Sequence, residues 1–140
     1  MATIFTKIID GEIPGTFVWR DHECVGFMSV NPLRAGHTLV VPRQEVDHWL
    51  DCPPALRDHL MEVAQTIGRA IDAVHEPQKV GLMIAGLEVP HLHLHVVPID
   101  GVRDLDFANA ASSVDREELE EEAAALRRAL TAMGASGMSS

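Results

Sequence analysis

Long apolar runs are missing from this 140-residue chain. No stretch approaches the ~18 consecutive apolar residues that cross a bilayer, so neither a spanning helix nor a membrane partner is expected. The opening residues, Met1-Ala2-Thr3-Ile4-Phe5-Thr6-Lys7, lack a sustained apolar core and a small-residue cleavage site. No secretory leader is expected, and the default location is the cytoplasm. Cysteine is scarce as well. Cys24 and Cys52 form no Cys-x-x-Cys pair, and they read as buried or half-buried thiols in a reducing compartment. Nothing calls for a disulfide. Positive charge is short: 11 Lys and Arg against 21 Asp and Glu leave a formal net charge of −10. Such a surface repels a polyanion, which argues against DNA or RNA as partner. A small anionic ligand is still compatible, because a local pocket can oppose the global field. There is no internal repeat and no long linker. One domain with a modest core is expected over 1–134, followed by a flexible tail over 135–140.

What is present falls into a short series of elements. Thr3 to Ile9 reads as a short helix or turn, and Gly11 to Gly15 as a loop. Thr16–Arg20 and Cys24–Met28 flank the polar Asp21-His22-Glu23 and predict a hairpin. His37–Val41 is a strand closed by Pro42. Pro53-Pro54 suits a helix start. Leu56, Leu60, Val63, Ile67, Ala70, Ile71 and Val74 then recur at three- and four-residue steps, as one helix face does. Gly68 inside that helix either permits close packing or weakens it. Val80–Ala85 and His91–Pro98 read as two further strands. Asp115 with Glu118 resembles a capping box, opening a last helix with Leu119, Leu126, Leu130 and Met133 on its face. The glutamates from Glu117 to Glu122 read as its solvated side. This order predicts an α+β fold, a mainly antiparallel five-stranded sheet with its helices on one face.

The chemistry concentrates in His91-Leu92-His93-Leu94-His95. Side chains alternate along a strand, so the three imidazoles would share one face and the aliphatics the other. Neighbouring histidines would lie ~6.6 Å apart at Cα and the outer two ~13 Å apart. Two can flank a tetrahedral group, with the third in support. A neutral imidazole keeps a lone pair that attacks phosphorus if its other nitrogen holds a proton against a fixed acceptor. A second, protonated imidazole can donate to phosphate oxygens as charge develops. His-x-His on a strand is also a natural pair of zinc ligands, and His37 would be the best third ligand. His22, His48, His59 and His75 read as ordinary surface or satisfied core histidines.

His91-Leu-His-Leu-His-Val-Val97 resembles the signature of the histidine triad family, His-φ-His-φ-His-φ-φ with φ apolar. Ile4–Pro14 resembles that family's opening segment. Arg34-Ala-Gly-His-Thr-Leu-Val-Val-Pro42 is similar to its Gly-His-x-Leu-φ-φ-Pro strand. The resemblance covers about residues 3–98. It implies a nucleotidyl hydrolase or transferase acting at an α-phosphate, of the nucleoside phosphoramidate hydrolase-like branch, without a metal or other cofactor. It makes His93 the nucleophile and His95 the phosphate binder, with His91 and His37 fixing orientation and protonation. It places Phe5, Val18, Phe27 and Leu39 in the nucleoside pocket, although ordinary core is an equally good reading of each. It also implies a homodimer joined through the long helix and the fourth strand.

The chain departs from the family pattern in three places. Ser29 stands where an Asp commonly serves the ribose hydroxyls, and a hydroxyl cannot grip two of them as a carboxylate can. The segment before the triad is shortened to Ile84–His91, with Leu87 and Glu88 where Gln and a hydroxyl residue are usual. A carboxylate at position 88 repels phosphate unless it is turned away, or it receives a leaving amine. Thr3-x-x-Thr6 stands where one branch carries Cys-x-x-Cys with zinc, so that zinc site is not expected. Three functions are therefore weighed: a phosphoramidate or dinucleoside polyphosphate hydrolase, a nucleotide-binding protein with little catalysis, and a metal-binding module.

Overall fold

A computed structural model describes residues 2–135. The strand order is β1-β2-β3-β5-β4, with every neighbouring pair antiparallel. The strands are β1 (Phe17–Arg20), β2 (Cys24–Met28), β3 (Thr38–Pro42), β4 (Lys79–Met83) and β5 (Leu94–Ile99). Three helices accompany them: α1 (Ile4–Ile9), α2 (Pro54–His75) and α3 (Arg116–Ala132). The fold is thus α+β with a five-stranded antiparallel sheet, as the order of elements predicts. Its β1–β2 turn is set by Asp21, whose Oδ1 accepts the backbone N–H groups of Glu23 and Cys24, each at 2.8 Å.

The helices do not all share one face. Alternation along the strands sends Cys24, Met28, Val40, Leu94 and Val96 to one side, where they pack with α2 and α3. Val25, Phe27, Leu39 and Val41 point to the other side, where α1 covers them with Phe5 and Ile9. The short helix was expected beside the long ones; the pleat gives it a separate small core instead.

Helix α2 buries the predicted stripe, with Ala64 and Gly68 added and Val74 partly buried. A Cβ on Gly68 would stand 3.5 Å from Val80 Cγ1, an ordinary contact. Close packing therefore does not demand this glycine. In α3, Leu119, Ala123, Leu126 and Leu130 are buried, whereas Met133 lies past the last turn and is exposed. Asp115 caps α3 through the Glu117 N–H, at 3.2 Å, rather than through a box with Glu118. Glu122 leaves the solvated side to pair with His75, and Glu120 pairs with Arg127. Gly134 turns left-handed and Ala135 bonds back to the Leu130 carbonyl, closing the helix end. The expected tail beyond that point lies outside the described residues. Both cysteines are free and buried.

The last strand begins later than predicted. Pairing of β3 with β5 ends at Val40 opposite Leu94. Continued, that register would set Pro42 against Leu92, and proline has no N–H to give. The ladder stops there, and Leu92 donates its N–H to the Val46 carbonyl instead, at 2.7 Å. His91 and His93 therefore stand in an extended segment before the sheet, and His95 alone of the three is in a strand. Leu92, Leu94 and Val96 still fill the main core, so the alternation survives the loss of the ladder.

Candidate active site

A cavity of about 890 Å³ opens on the α1 side of the sheet. Its floor follows one cross-strand row, in which Phe27 pairs with Leu39 and Leu39 with His95. Of the residues predicted for a site, Phe5, Phe27, Ser29, His37, Leu39, Glu88, His93 and His95 line it. Phe5, Phe27 and Leu39 are buried in the small core and also form part of the cavity wall. His91 and Val18 do not line it, and Val18 is fully buried in the main core on the α2 and α3 side. Phe17, its neighbour on β1, takes the cavity side and packs edge-on to Phe27. Leu87 points to solvent, 94% exposed, while Glu88 beside it faces the cavity.

Two hydrogen-bond chains set the imidazoles. In the first, the Leu33 N–H donates to His37 Nδ1 at 3.0 Å. His37 therefore carries its proton on Nε2, which lies 3.0 Å from His95 Nδ1. His95 must accept there, and its proton is left on Nε2. In the second chain, His91 Nε2 lies 2.7 Å from the Pro42 carbonyl and must donate to it. His91 Nδ1 then accepts from the Thr3 hydroxyl at 2.6 Å. The His91 carbonyl in turn receives the Nδ1 proton of His93 at 2.7 Å. This leaves His93 Nε2 with a free lone pair. Among the described residues no buried side-chain nitrogen or oxygen lacks a partner, so the two remaining ring atoms open onto the cavity.

The electrostatics agree with these tautomers. Burial, helped by neighbouring His93, pushes His37 down to about 4. Burial, then His37 and His93, pushes His95 down to about 3. Burial also lowers His91 and His93 from the usual imidazole value, against the opposing pull of the Pro42 and His91 carbonyls. All four rings are neutral at pH 7. The N–H presented by His95 is thus a neutral donor rather than the imidazolium expected from the sequence. Ring packing holds the positions: Phe5 meets His93 edge-on at 4.9 Å, and His93 meets His95 at 4.9 Å.

Several wall residues escape sequence reasoning. Phe107, in a short turn after β5, lies 5.1 Å from His95. Its only signal is an aromatic ring in a stretch of Asp and Ala. The segment 110–114 closes the far side, where Asn31 Nδ2 donates to the carbonyls of Ala111 and Ser112 at 3.1 and 2.8 Å. Ser29 lies beside this tie, and its hydroxyl accepts the Asn31 N–H at 3.3 Å. Arg116, at the start of α3, brings a cation to the rim. Thr3 and Thr6 hold no thiols; their hydroxyls engage His91 and Glu45.

Away from the cavity, Asp21, Cys24 and His59 bring three potential ligand atoms within 4.8 Å of one another. Asp21 Oδ2 already accepts the Trp19 indole N–H and meets His59 Nε2, each at 2.7 Å. Burial and the nearby carboxylate push the Cys24 thiol up. These groups satisfy one another as a structural network.

The fold and four converging imidazoles define a histidine triad domain. Residues 10–102 match the HIT domain family, and the chain belongs to it. It is 30% identical over 127 residues to an uncharacterized HIT-like protein of Methanocaldococcus jannaschii, covering 83% of this chain and 94% of that one. It is 28% identical over 121 residues to the adenylylsulfatase HINT3 of Arabidopsis thaliana, covering 83% of this chain and 60% of that one. The family thus includes enzymes that act on nucleotides. A crystal structure of a Hit-like protein from Bartonella henselae superposes with a TM-score of 0.82 at 29% identity, covering 91% of this chain and 96% of that one. Among the described residues no helix is long and apolar enough to cross a membrane.

Proposed function

We propose that this protein is a nucleotidyl hydrolase or transferase acting at the α-phosphate of a nucleotide conjugate. One observation carries the reading: a lone pair on His93 Nε2 and a proton on His95 Nε2 open side by side onto one cavity. His93 Nε2 attacks phosphorus, a P–N bond to the imidazole forms, and the bond from phosphorus to the leaving group breaks. The proton stays on His93 Nδ1 throughout, donated to the His91 carbonyl, which stabilises the charged ring of the intermediate. His95 donates to a phosphate oxygen as negative charge builds. Water then attacks phosphorus and releases a proton to solvent, the P–N bond breaks with its electron pair returning to His93 Nε2, and the nucleoside monophosphate leaves. The apolar wall of Phe5, Phe27 and Leu39 suits a base, and the cavity volume suits one nucleotide.

Glu88 favours one class of leaving group. Its negative charge lies close enough to raise the His93 value against burial. A phosphoramidate nitrogen takes a proton from solvent before its bond to phosphorus breaks, and the cation so formed is welcomed beside Glu88 before it departs as a neutral amine, while a sulfate or polyphosphate is repelled. Nucleoside phosphoramidates are therefore preferred over dinucleoside polyphosphates. The chain forms a homodimer in this reading. Support comes from the β4 edge of the sheet and exposed Met61, Leu82 and Ile84 along α2 and β4.

The test is hydrolysis of adenosine 5′-phosphoramidate by wild type and His93→Ala, with trapping of a nucleotidyl-protein adduct. Turnover and adduct are expected in wild type alone. Tight AMP binding with no turnover would replace the enzyme with a nucleotide-binding protein, a reading that the hydroxyl of Ser29 in place of a carboxylate favours.

A further inference from the structure

The second hydrogen-bond chain does not end at His91. Thr3 Oγ1 donates to His91 Nδ1 while accepting the Thr6 N–H at 3.1 Å, so this one hydroxyl both caps α1 and holds a site imidazole. The other end of this turn is tied to Glu45, in the loop after β3. Glu45 Oε1 accepts the Thr3 N–H at 2.9 Å and the Thr6 hydroxyl at 2.6 Å. Those two bonds hold the carboxyl below its ordinary range, as an anion. One carboxylate oxygen thus clamps the first turn of α1 onto the loop that follows β3. That turn carries Thr3 and also Phe5, whose ring meets His91 at 5.7 Å and His93 at 4.9 Å.

We infer that Thr3 and Glu45 are positioning residues for His93. Glu45 orders the α1 turn, the turn aims the Thr3 hydroxyl at His91, and the doubly held His91 keeps its own carbonyl on the Nδ1 proton of His93. None of the three outer groups, Glu45, Thr6 and Thr3, lines the cavity. Their effect reaches the reacting atom through two imidazoles and one main-chain carbonyl. Released at Thr3, His91 keeps its bond to Pro42 but gains a rotational freedom that its carbonyl shares. His93 then samples the tautomer with the proton on Nε2, which has no lone pair to offer the cavity. The value of the clamp lies in excluding that tautomer, since misplacement of about 1 Å far from the chemistry costs up to about a hundredfold in rate.

The inference rests on the proposed function for its kinetic arm but not for its spectroscopic one. Histidine ¹⁵N resonances would be recorded on the full chain for wild type, Thr3→Val, Thr3→Ser and Glu45→Gln, beside phosphoramidate kinetics. Wild type should show His93 wholly protonated on Nδ1 and His91 wholly on Nε2. Thr3→Val should move His91 Nδ1 downfield to the position of an unbonded nitrogen and turn His93 into a mixture of tautomers. Its kcat should fall about tenfold with KM unchanged, Thr3→Ser should restore both signals and rate, and Glu45→Gln should lie between. Glu45 is exposed, so that variant keeps the test open if Thr3→Val fails to fold. If His93 stays wholly Nδ1-protonated in both Thr3→Val and Glu45→Gln, or in Glu45→Gln when Thr3→Val does not fold, the inference is wrong. A wild type without turnover but with the expected tautomer changes would overturn the enzymatic reading and leave the positioning intact.

Discussion

Acidification from pH 7 to pH 5 should remove about 4 kcal/mol of stability through His37 and His95 alone. In the unfolded chain both titrate near 6.5, and at pH 5 both are protonated. In the fold they are pushed down to about 4 and about 3, so at pH 5 both remain largely neutral. The unfolded chain then binds more protons than the native one, and stability falls as pH drops below 6.5. A gap of 1.5 units between pH 5 and the unfolded value corresponds to about 2 kcal/mol for each ring, at about 1.36 kcal/mol per unit. Most carboxylates are still ionised at pH 5, which keeps the window specific to histidine. The assay is denaturant unfolding at pH 7, 6 and 5, for wild type and for His37→Asn/His95→Asn. Asparagine preserves an acceptor near the Nδ1 position and does not titrate. The double variant should lose less stability on acidification, by about 4 kcal/mol. Equal pH slopes in the two proteins would refute the reasoning, because the neutral chain from Leu33 to His95 would then carry no protonation penalty.

The same substitution at two glycines should act with opposite sign. Gly68→Ala adds a Cβ in ordinary contact in mid-helix and should raise stability by about 0.5–1 kcal/mol. Gly26→Ala places a Cβ 2.9 Å from Ile67 Cδ1 and 3.1 Å from Trp19 Cβ and should lower stability by about 1–3 kcal/mol. Thermal unfolding of the pair decides both. Val18→Ala should cost about 2 kcal/mol of stability and leave AMP affinity unchanged, measured by denaturation and calorimetry. A loss of affinity in a folded Val18→Ala protein would return that residue to the pocket.

The sheet and both long helices are legible in the sequence because their signals are periodic. Leu56 through Ile71 repeats at helical steps, and Leu92, Leu94 and Val96 alternate with histidines whether or not a ladder joins them. Errors arise where a single residue decides. Val18 and Phe17 are neighbours on β1, and only the phase of a four-residue strand decides which of them faces the α1 side. The late start of β5 depends on one missing N–H at Pro42, fifty positions before Leu92 in the chain. Thr3 and Glu45 carry no periodic signal at all. Their bonds span 42 and 88 positions, and a threonine at a helix start reads as a cap and nothing more.

The outer supports of the imidazoles are mostly main-chain groups: the Leu33 N–H, the Pro42 carbonyl and the His91 carbonyl. Such supports belong to positions rather than to side chains. Position 33 can drift through any residue that fills its buried space and still donate its N–H to His37, with proline alone forbidden outright. Position 42 is more constrained, because any residue but proline would regain the N–H whose absence ends the β3–β5 ladder before His91. Genetic variation at these places reaches the chemistry only by moving the backbone. The site is consequently more exposed to insertions and deletions in its loops than to most point substitutions around it.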